Sequence, residues 1–251
     1  MSVWLQRRPA AAPAGRVFCI PQAGSGTTVF DNWPAERAGV EFLPVELPGR
    51  LSRFTEAPPD TLEDLAAAMI DGLEPYLRVP FAFFGHCWSA ILAYEVTRRL
   101  ERAGHEPARL FVSSEVPPQA GPAGRMLDMD ADELAAEVAA TVRDIGRKPH
   151  PELVDLYVRI LRSDIELRRN YQAPEPIRLS CPITVFGWRD DPEYPPGSLA
   201  GWAECGNATF IQLPGRHNEF NAAPADLIDT ILAGVRERLL GREPRPEGNH
   251  R

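Results

Sequence analysis

Phe81-Ala82-Phe83-Phe84-Gly85-His86-Cys87-Trp88-Ser89-Ala90-Ile91-Leu92-Ala93-Tyr94-Glu95-Val96 is the stretch that decides how this chain is read. Its first four residues form a short apolar run of strand type, and from Ala90 onward the pattern is helical. Strand, tight turn and helix in that order is the setting of a nucleophile elbow, usually written G-x-S-x-G, whose turn lifts one side chain above the edge of a parallel sheet. Here the lifted residue is Cys87. Ser89 is not the centre of the turn, because that placement puts Cys87 and Ile91 at the two small positions, and isoleucine does not fit a tight turn. Ser89 instead stands where the second glycine normally does.

The rest of the composition is compatible with one large domain. The chain has 251 residues, of which 44% are hydrophobic and 8% aromatic, enough for a sizeable core. Mean hydropathy is −0.25, no apolar run reaches the length of a membrane span, and the first residues lack the apolar centre of a signal peptide. The expectation is a cytoplasmic protein with no membrane partner. A net charge of −8 argues against nucleic acid as a partner. The four cysteines, Cys19, Cys87, Cys181 and Cys205, form no C-x-x-C pair and no metal-ligand spacing. Cys19 and Cys181 read as buried thiols and Cys205 as an incidental loop residue.

Working outward, strand-like runs occur at Val17–Ile20, Phe42–Glu46, Leu110–Ser113, Ile183–Phe186 and Thr209–Leu213. Most are continuously apolar, as in a parallel sheet covered on both faces. Helical patterns separate them. Thr61 and Asp64 read as an N-terminal cap, the elbow helix runs from about Ser89 to Ala103, and Leu227, Ile228, Ile231 and Leu232 mark a last helix. The alternation predicts an α/β class protein with a doubly wound, mostly parallel sheet. Residues from about 117 to 178 break it, with two or three helical patterns and no strand, and are expected to form a helical cap over the site. Residues 1–15 are expected to be a flexible arm, 16–240 the folded domain, and 241–251 a disordered tail.

Covalent acyl chemistry at an elbow needs a base, a group that orients it, and donors for the oxyanion. In α/β-hydrolase order these follow as nucleophile, acid, histidine. The histidines after Cys87 are His105, His150, His217 and His250. His217 follows a strand and precedes the last helix, which makes it the candidate base; His105 reads as a surface turn, His150 as part of the cap and His250 as tail. Asp190 and Asp191 follow the Ile183 strand, and Asp190 is favoured on its spacing after Gly187. Backbone N–H groups of Trp88 and of Ala23, in the loop Pro21-Gln22-Ala23-Gly24-Ser25-Gly26, are the candidate oxyanion donors. That loop lacks both G-x-G-x-x-G and G-x-x-x-x-G-K-[ST], which argues against a nucleotide. A thiol at a helix N-terminus beside an imidazole is expected to have a lowered pKa.

At these positions the chain resembles the type II, stand-alone thioesterases of nonribosomal peptide and polyketide synthesis. Phe18-Cys19-Ile20-Pro21-Gln22-Ala23-Gly24 resembles that family's F-P-H-A-G-G loop, Glu46-Leu47-Pro48-Gly49-Arg50 its Y-P-G-R, Gly85-His86-Cys87-Trp88-Ser89-Ala90 its G-H-S-M-G-A, and Leu161-Arg162-Ser163-Asp164 a cap-helix L-R-A-D. The resemblance implies an α/β-hydrolase fold with a helical cap and hydrolysis of acyl groups carried as thioesters on the phosphopantetheine arm of an acyl or peptidyl carrier protein. It implies no cofactor and no metal of the enzyme's own, and a monomer is expected. The departures are Gln22 for histidine, Cys87 for serine, Trp88 for methionine and Ser89 for glycine. Because a thiolate attacking a thioester forms another thioester, Cys87 also suits transfer of an acyl or aminoacyl group to a second thiol or amine. From other classes, His217-Asn218-Glu219 has the H-x-E pattern of class I glutamine amidotransferases, without the rest of that signature. A dienelactone-type cysteine hydrolase and a non-catalytic carrier-binding module are the remaining alternatives.

Overall fold

The computed structural model describes residues 2–144, 148–173, 175–195 and 197–240; the tail beyond 240, with His250, lies outside them. Its strands are β1 (Gly15–Ile20), β2 (Glu36–Arg37), β3 (Val40–Pro44), β4 (Phe81–His86), β5 (Arg109–Ser113), β6 (Ile183–Trp188) and β7 (Ala208–Leu213). They form one sheet in the order β2-β3-β1-β4-β5-β6-β7. Every pairing is parallel except that of β2 with β3. The two-residue β2 is exposed throughout and left no periodicity to read. β3 begins and ends two residues earlier than the apolar run indicates, because Val45 leaves the ladder to bridge Leu5.

The continuous apolar strands bury both faces. Phe18, Phe83, Leu110, Val112 and Val185 point into one core with helices α1 (Leu62–Leu73) and α2 (Trp88–Arg102). Val17, Phe84, Phe111 and Phe186 point into another beneath α5 (Ala225–Leu240), through Leu227, Ile228, Ile231 and Val235. Each such side chain contributes about 1.5–3 kcal/mol by leaving water. Thr61 caps α1 by accepting from the Asp64 N–H at 3.0 Å. Among the described residues between β5 and β6 there are two α-helices, α3 (Ala131–Asp144) and α4 (Pro151–Asn170), and no strand. They share a small core of Leu134, Val154, Val158, Leu161 and Ile165.

Two expectations change. The N-terminal arm is not loose over the described residues. Trp4 is buried and lies under the Arg53 guanidinium at 4.0 Å, and Arg7 donates to the carbonyls of Pro34 and Phe42 at 3.1 and 3.3 Å. Cys205 is not an incidental loop residue: it is fully buried, and its thiol donates to Gln119 Oε1 at 3.2 Å. Sequence pattern carries neither fact, since both depend on surfaces assembled from distant segments.

The cap is fastened to the sheet by a buried ion pair. Asp164 of α4 accepts from Arg50 Nη2 at 2.5 Å and from the Gly24 N–H at 2.8 Å, while Arg50 Nη1 donates to Ser25 O at 2.7 Å. Both side chains are almost wholly buried. Gly24 has φ +69°, and a Cβ there would come within 3.1 Å of Leu161 Cβ. Cap helix, post-β1 loop and post-β3 loop therefore meet at one point. Removing one partner strands the other charge in the interior. Asp164→Ala is expected to lower unfolding free energy in urea by about 3 kcal/mol, and a change below about 0.5 kcal/mol would show that the pair does not fasten the cap.

Candidate active site

β4 hands the chain to α2 through Cys87, which holds φ +56° and ψ −141°. A non-glycine residue in that region is held there by its surroundings, at a cost of about 1–3 kcal/mol. The surroundings are visible. A Cβ on Gly85 would lie 2.7 Å from Ala90 Cα and 2.6 Å from the Ser89 carbonyl carbon, so only glycine lets α2 pass this close to β4. Ser89 is fully buried, accepts from the His86 N–H at 3.0 Å, and lies 3.0 Å from Ile20 O and 2.9 Å from His86 O as a donor. Its hydroxyl is committed to the turn, in keeping with Cys87 as the lifted residue. The Cys87 N–H donates to Ser113 O at 2.9 Å.

The post-β1 loop, Pro21 to Gly26, stands beside the elbow, because β1 and β4 are neighbours and the chain turns outward from β1 to β3 before returning to β4. This is the topological switch point of an open parallel sheet, where ligands bind. Ala23 packs against both the sheet core and the cap core. Its N–H meets no acceptor among the described residues, and the Trp88 N–H is directed at the Cys87 sulfur. Gln22 Oε1 and Trp88 Nε1 are buried without partners.

His217 follows β7, and its Nδ1 lies 2.9 Å from Asp191 Oδ2. The spacing argument favoured Asp190, and the structure corrects it. β6 runs one residue past Gly187, to Trp188. Asp190 then falls on the outside of the turn, exposed, with its N–H donated to Gly215 O at 2.9 Å. Asp191 turns inward and is 3% exposed. Its Oδ2 also accepts from Ser114 Oγ at 2.7 Å and its Oδ1 from the Glu193 N–H at 3.0 Å. Although burial pushes its carboxyl upward, these hydrogen bonds together hold it below the usual carboxylate range. Glu219, the third residue of His217-Asn218-Glu219, is exposed, and the carboxylate on the imidazole is Asp191.

Two supporting residues had no signal in the sequence. Ser114, at φ +46°, braces Asp191. His86 is fully buried, shares a hydrogen bond with Ser113 Oγ at 2.9 Å, stacks on Phe220 at 4.1 Å, and sets its ring edge-on to His217 at 4.6 Å. Burial holds its pKa well below the ordinary histidine value, so it packs against His217 as a neutral ring. His105 faces Phe81, at the opposite end of β4 from Cys87, and His150 is an exposed residue at the start of α4.

The electrostatics of Cys87 differ from expectation. Its thiol is pushed well above the ordinary value, first by burial and then by the nearby carboxylates of Glu115 and Glu193, against smaller opposing effects from the Trp88 N–H and Arg168. Helix position alone anticipates the opposite sign. Cys87 makes no hydrogen bond to His217 among the described residues.

The comparisons with known proteins agree with this architecture. The family model for the thioesterase domain matches residues 15–233. The chain is 30% identical over 233 residues to the gramicidin S biosynthesis protein GrsT of Aneurinibacillus migulanus, covering 88% of this chain and 89% of that one. It is 32% identical over 205 residues to thioesterase PikA5 of Streptomyces venezuelae, covering 80% and 73%. Among solved structures, the type II thioesterase BorB from the borrelidin biosynthetic cluster superposes with a TM-score of 0.82 at 29% identity, over 93% of this chain and 98% of that one. No helix among the described residues is long and apolar enough to cross a membrane. A switch-point elbow, a histidine–aspartate pair after the last two strands, and a match spanning nearly the whole chain lead to one assignment: this protein belongs to the thioesterase family and is an enzyme of the α/β-hydrolase fold acting on thioester bonds.

Proposed function

We propose that the protein is a type II thioesterase-like enzyme of secondary-metabolite biosynthesis that cleaves acyl groups from the phosphopantetheine arm of a carrier protein through Cys87, His217 and Asp191. The observation that carries the proposal is the pairing of His217 with Asp191 at 2.9 Å on the strand ends beside a strained elbow at Cys87. Asp191 accepts from Nδ1, which leaves Nε2 as the basic nitrogen and stabilises the imidazolium. His217 takes the Cys87 proton as the sulfur bonds to the thioester carbon. The carbonyl π pair moves to oxygen, where the Ala23 and Trp88 N–H groups hold it. When the tetrahedral species collapses, the pantetheine C–S bond breaks and that sulfur leaves with the proton from His217. Water, deprotonated by His217, then attacks the acyl-Cys87 carbon; the carboxylic acid departs and Cys87 regains its proton.

Cys87 also supports a second reading, transfer. The acyl-enzyme is itself a thioester and keeps its activation toward a thiol or an amine, so an acceptor other than water completes the same cycle. Intact mass spectrometry with a labelled acyl-carrier protein separates the two. Wild type and Ser89→Ala are expected to show acyl-enzyme and Cys87→Ala none, with label appearing as free acid; label on a second carrier or free thiol assigns transfer. An adduct that persists in Cys87→Ala would remove the proposed nucleophile.

The aspartates are separated by kinetics. Asp191→Asn is expected to lower kcat by about 10⁴-fold, as loss of the orienting carboxylate does in other triads, while Asp190→Asn changes it less than about threefold, as an exposed position would. The reverse ranking would overturn the pairing as the catalytic one.

The raised thiol sets a pH signature. Alkylation of Cys87 by iodoacetamide is expected to be slow at neutral pH and to accelerate only above the ordinary thiol range, because a raised pKa leaves the thiolate to appear at higher pH. A rate already on a plateau at neutral pH would instead mark a standing thiolate–imidazolium pair.

A further inference from the structure

Three buried polar side chains stand at the C-terminal ends of the central strands, and the acyl-transfer steps use none of them. His86 ends β4, Ser113 ends β5 directly opposite it in register, and Trp188 ends β6. Each is 0% exposed. Trp188 Nε1 donates to Ser113 Oγ at 3.0 Å, and Ser113 Oγ lies 2.9 Å from His86 Nδ1. The other ring nitrogen of His86, Nε2, is buried and meets no partner among the described residues. The same ring stacks on Phe220 at 4.1 Å and stands edge-on to His217 at 4.6 Å.

Counting donors fixes where the protons sit. An indole N–H can only donate, a hydroxyl gives one proton and accepts others, and a neutral imidazole has one donor and one acceptor nitrogen. His86 is neutral, because burial holds its pKa well below the ordinary histidine value. Trp188 occupies one lone pair of Ser113 Oγ. Among the described residues the hydroxyl proton then has one acceptor, His86 Nδ1, and the imidazole proton stands on Nε2. The opposite tautomer, with Nδ1–H donating to Ser113, strands the hydroxyl proton as well as the Nε2 lone pair, two buried groups unmatched in place of one. The bond made by one ring nitrogen thus sets the state of the other.

We infer that His86 is a positioning residue that insulates the catalytic proton: the Trp188–Ser113 relay pins it as the Nε2–H tautomer, so that it walls His217 without being able to take its proton. This rests on the Cys87–His217–Asp191 reading above and adds a control on its base. When His217 carries the Cys87 proton, a lone pair on a second imidazole whose ring is 4.6 Å away would compete for it with about equal intrinsic basicity. With Nδ1 occupied by Ser113 and Nε2 protonated, His86 offers no lone pair, and the proton is kept for the pantetheine sulfur. Phe220 belongs to the same turn as His217, so its stack on His86 holds the two imidazoles at one separation. A packing role alone would be served by an apolar ring, with no buried nitrogen left unmatched.

Nitrogen NMR of the full-length, isotopically labelled enzyme at neutral pH reads the tautomer directly. The His86 ring, assigned through its contact with Phe220, is expected to show a protonated Nε2 and an unprotonated Nδ1. Ser113→Ala removes the relay. It is expected to give a mixture of tautomers and to lower kcat by about 10-fold or more, with KM changed less than about twofold, since small misplacements of a catalytic group carry losses of that size. Trp188→Phe frees a Ser113 lone pair and should act in the same direction. The double variant should lose about as much as the worse single one, because both cut one chain. Ser113→Thr, which keeps the hydroxyl, should recover the tautomer and part of the rate. A wild-type His86 protonated at Nδ1, or a Ser113→Ala enzyme in which tautomer and kcat do not change together, would overturn the inference. If the variants do not fold, the wild-type spectrum decides alone. A wild type that acylates Cys87 with His86 protonated at Nδ1 removes this inference and leaves the thioesterase reading standing; one that never acylates Cys87 removes both.

Discussion

The absence of a side chain at Gly85 is the constraint on which the site depends. α2 starts so close to the end of β4 that even a methyl group there would collide with the backbone of Ser89 and Ala90. That proximity forces Cys87 to positive φ, which lifts its sulfur off the sheet edge and turns the Trp88 N–H toward it. Ser89 closes the turn by bonding to both the N–H and the C=O of His86 and to Ile20 O. The last of these bonds ties the elbow to β1, so Cys87 and the post-β1 loop keep one relative position. Glycine is replaced by serine at this point without loss of the turn, because the added hydroxyl finds polar partners instead of empty space.

A second set of contacts places the cap. Asp164 joins α4 to Arg50 and to the Gly24 N–H, so the helix that roofs the site also fixes the loop that carries Ala23. The same helix brings Arg168 down to Glu115. Covering the site excludes water and strengthens every charge interaction inside. It also raises the Cys87 thiol instead of lowering it. Burial outweighs the helix N-terminus, since the loss of hydration acts on the full thiolate charge while the terminal amides act on it through one hydrogen bond.

Much of the fold was legible along the chain. Continuous apolar runs announced strands buried on both faces, and Gly85 with the helical pattern after Ser89 announced the elbow. The place of His217 between a strand and the last helix marked it as the candidate base, and the strandless stretch after β5 announced the cap. These signals are local, because period and turn chemistry are properties of neighbouring residues. The acid was legible only to within one residue. Which of Asp190 and Asp191 faces inward depends on where β6 stops, and β6 stops at Trp188 because its pairing with β7 extends to Leu213.

What the sequence by itself determined, then, is the order and type of the elements and the placement of Cys87 at the elbow and of His217 between the last strand and the last helix: these follow from hydrophobic period, turn residues and chain order. Only the tertiary structure decided that Asp191 is the carboxylate on the imidazole, that Ser114 and His86 brace the pair, that Trp4 and Arg7 tie the N-terminal residues to the sheet, and that Arg168 of the cap reaches Glu115. Each of these rests on contacts between segments distant along the chain, 26 residues apart for His217 with Asp191 and 77 apart for Ser114 with Asp191. No local pattern encodes such a contact, because the desolvation that sets its energy exists only once both segments are packed.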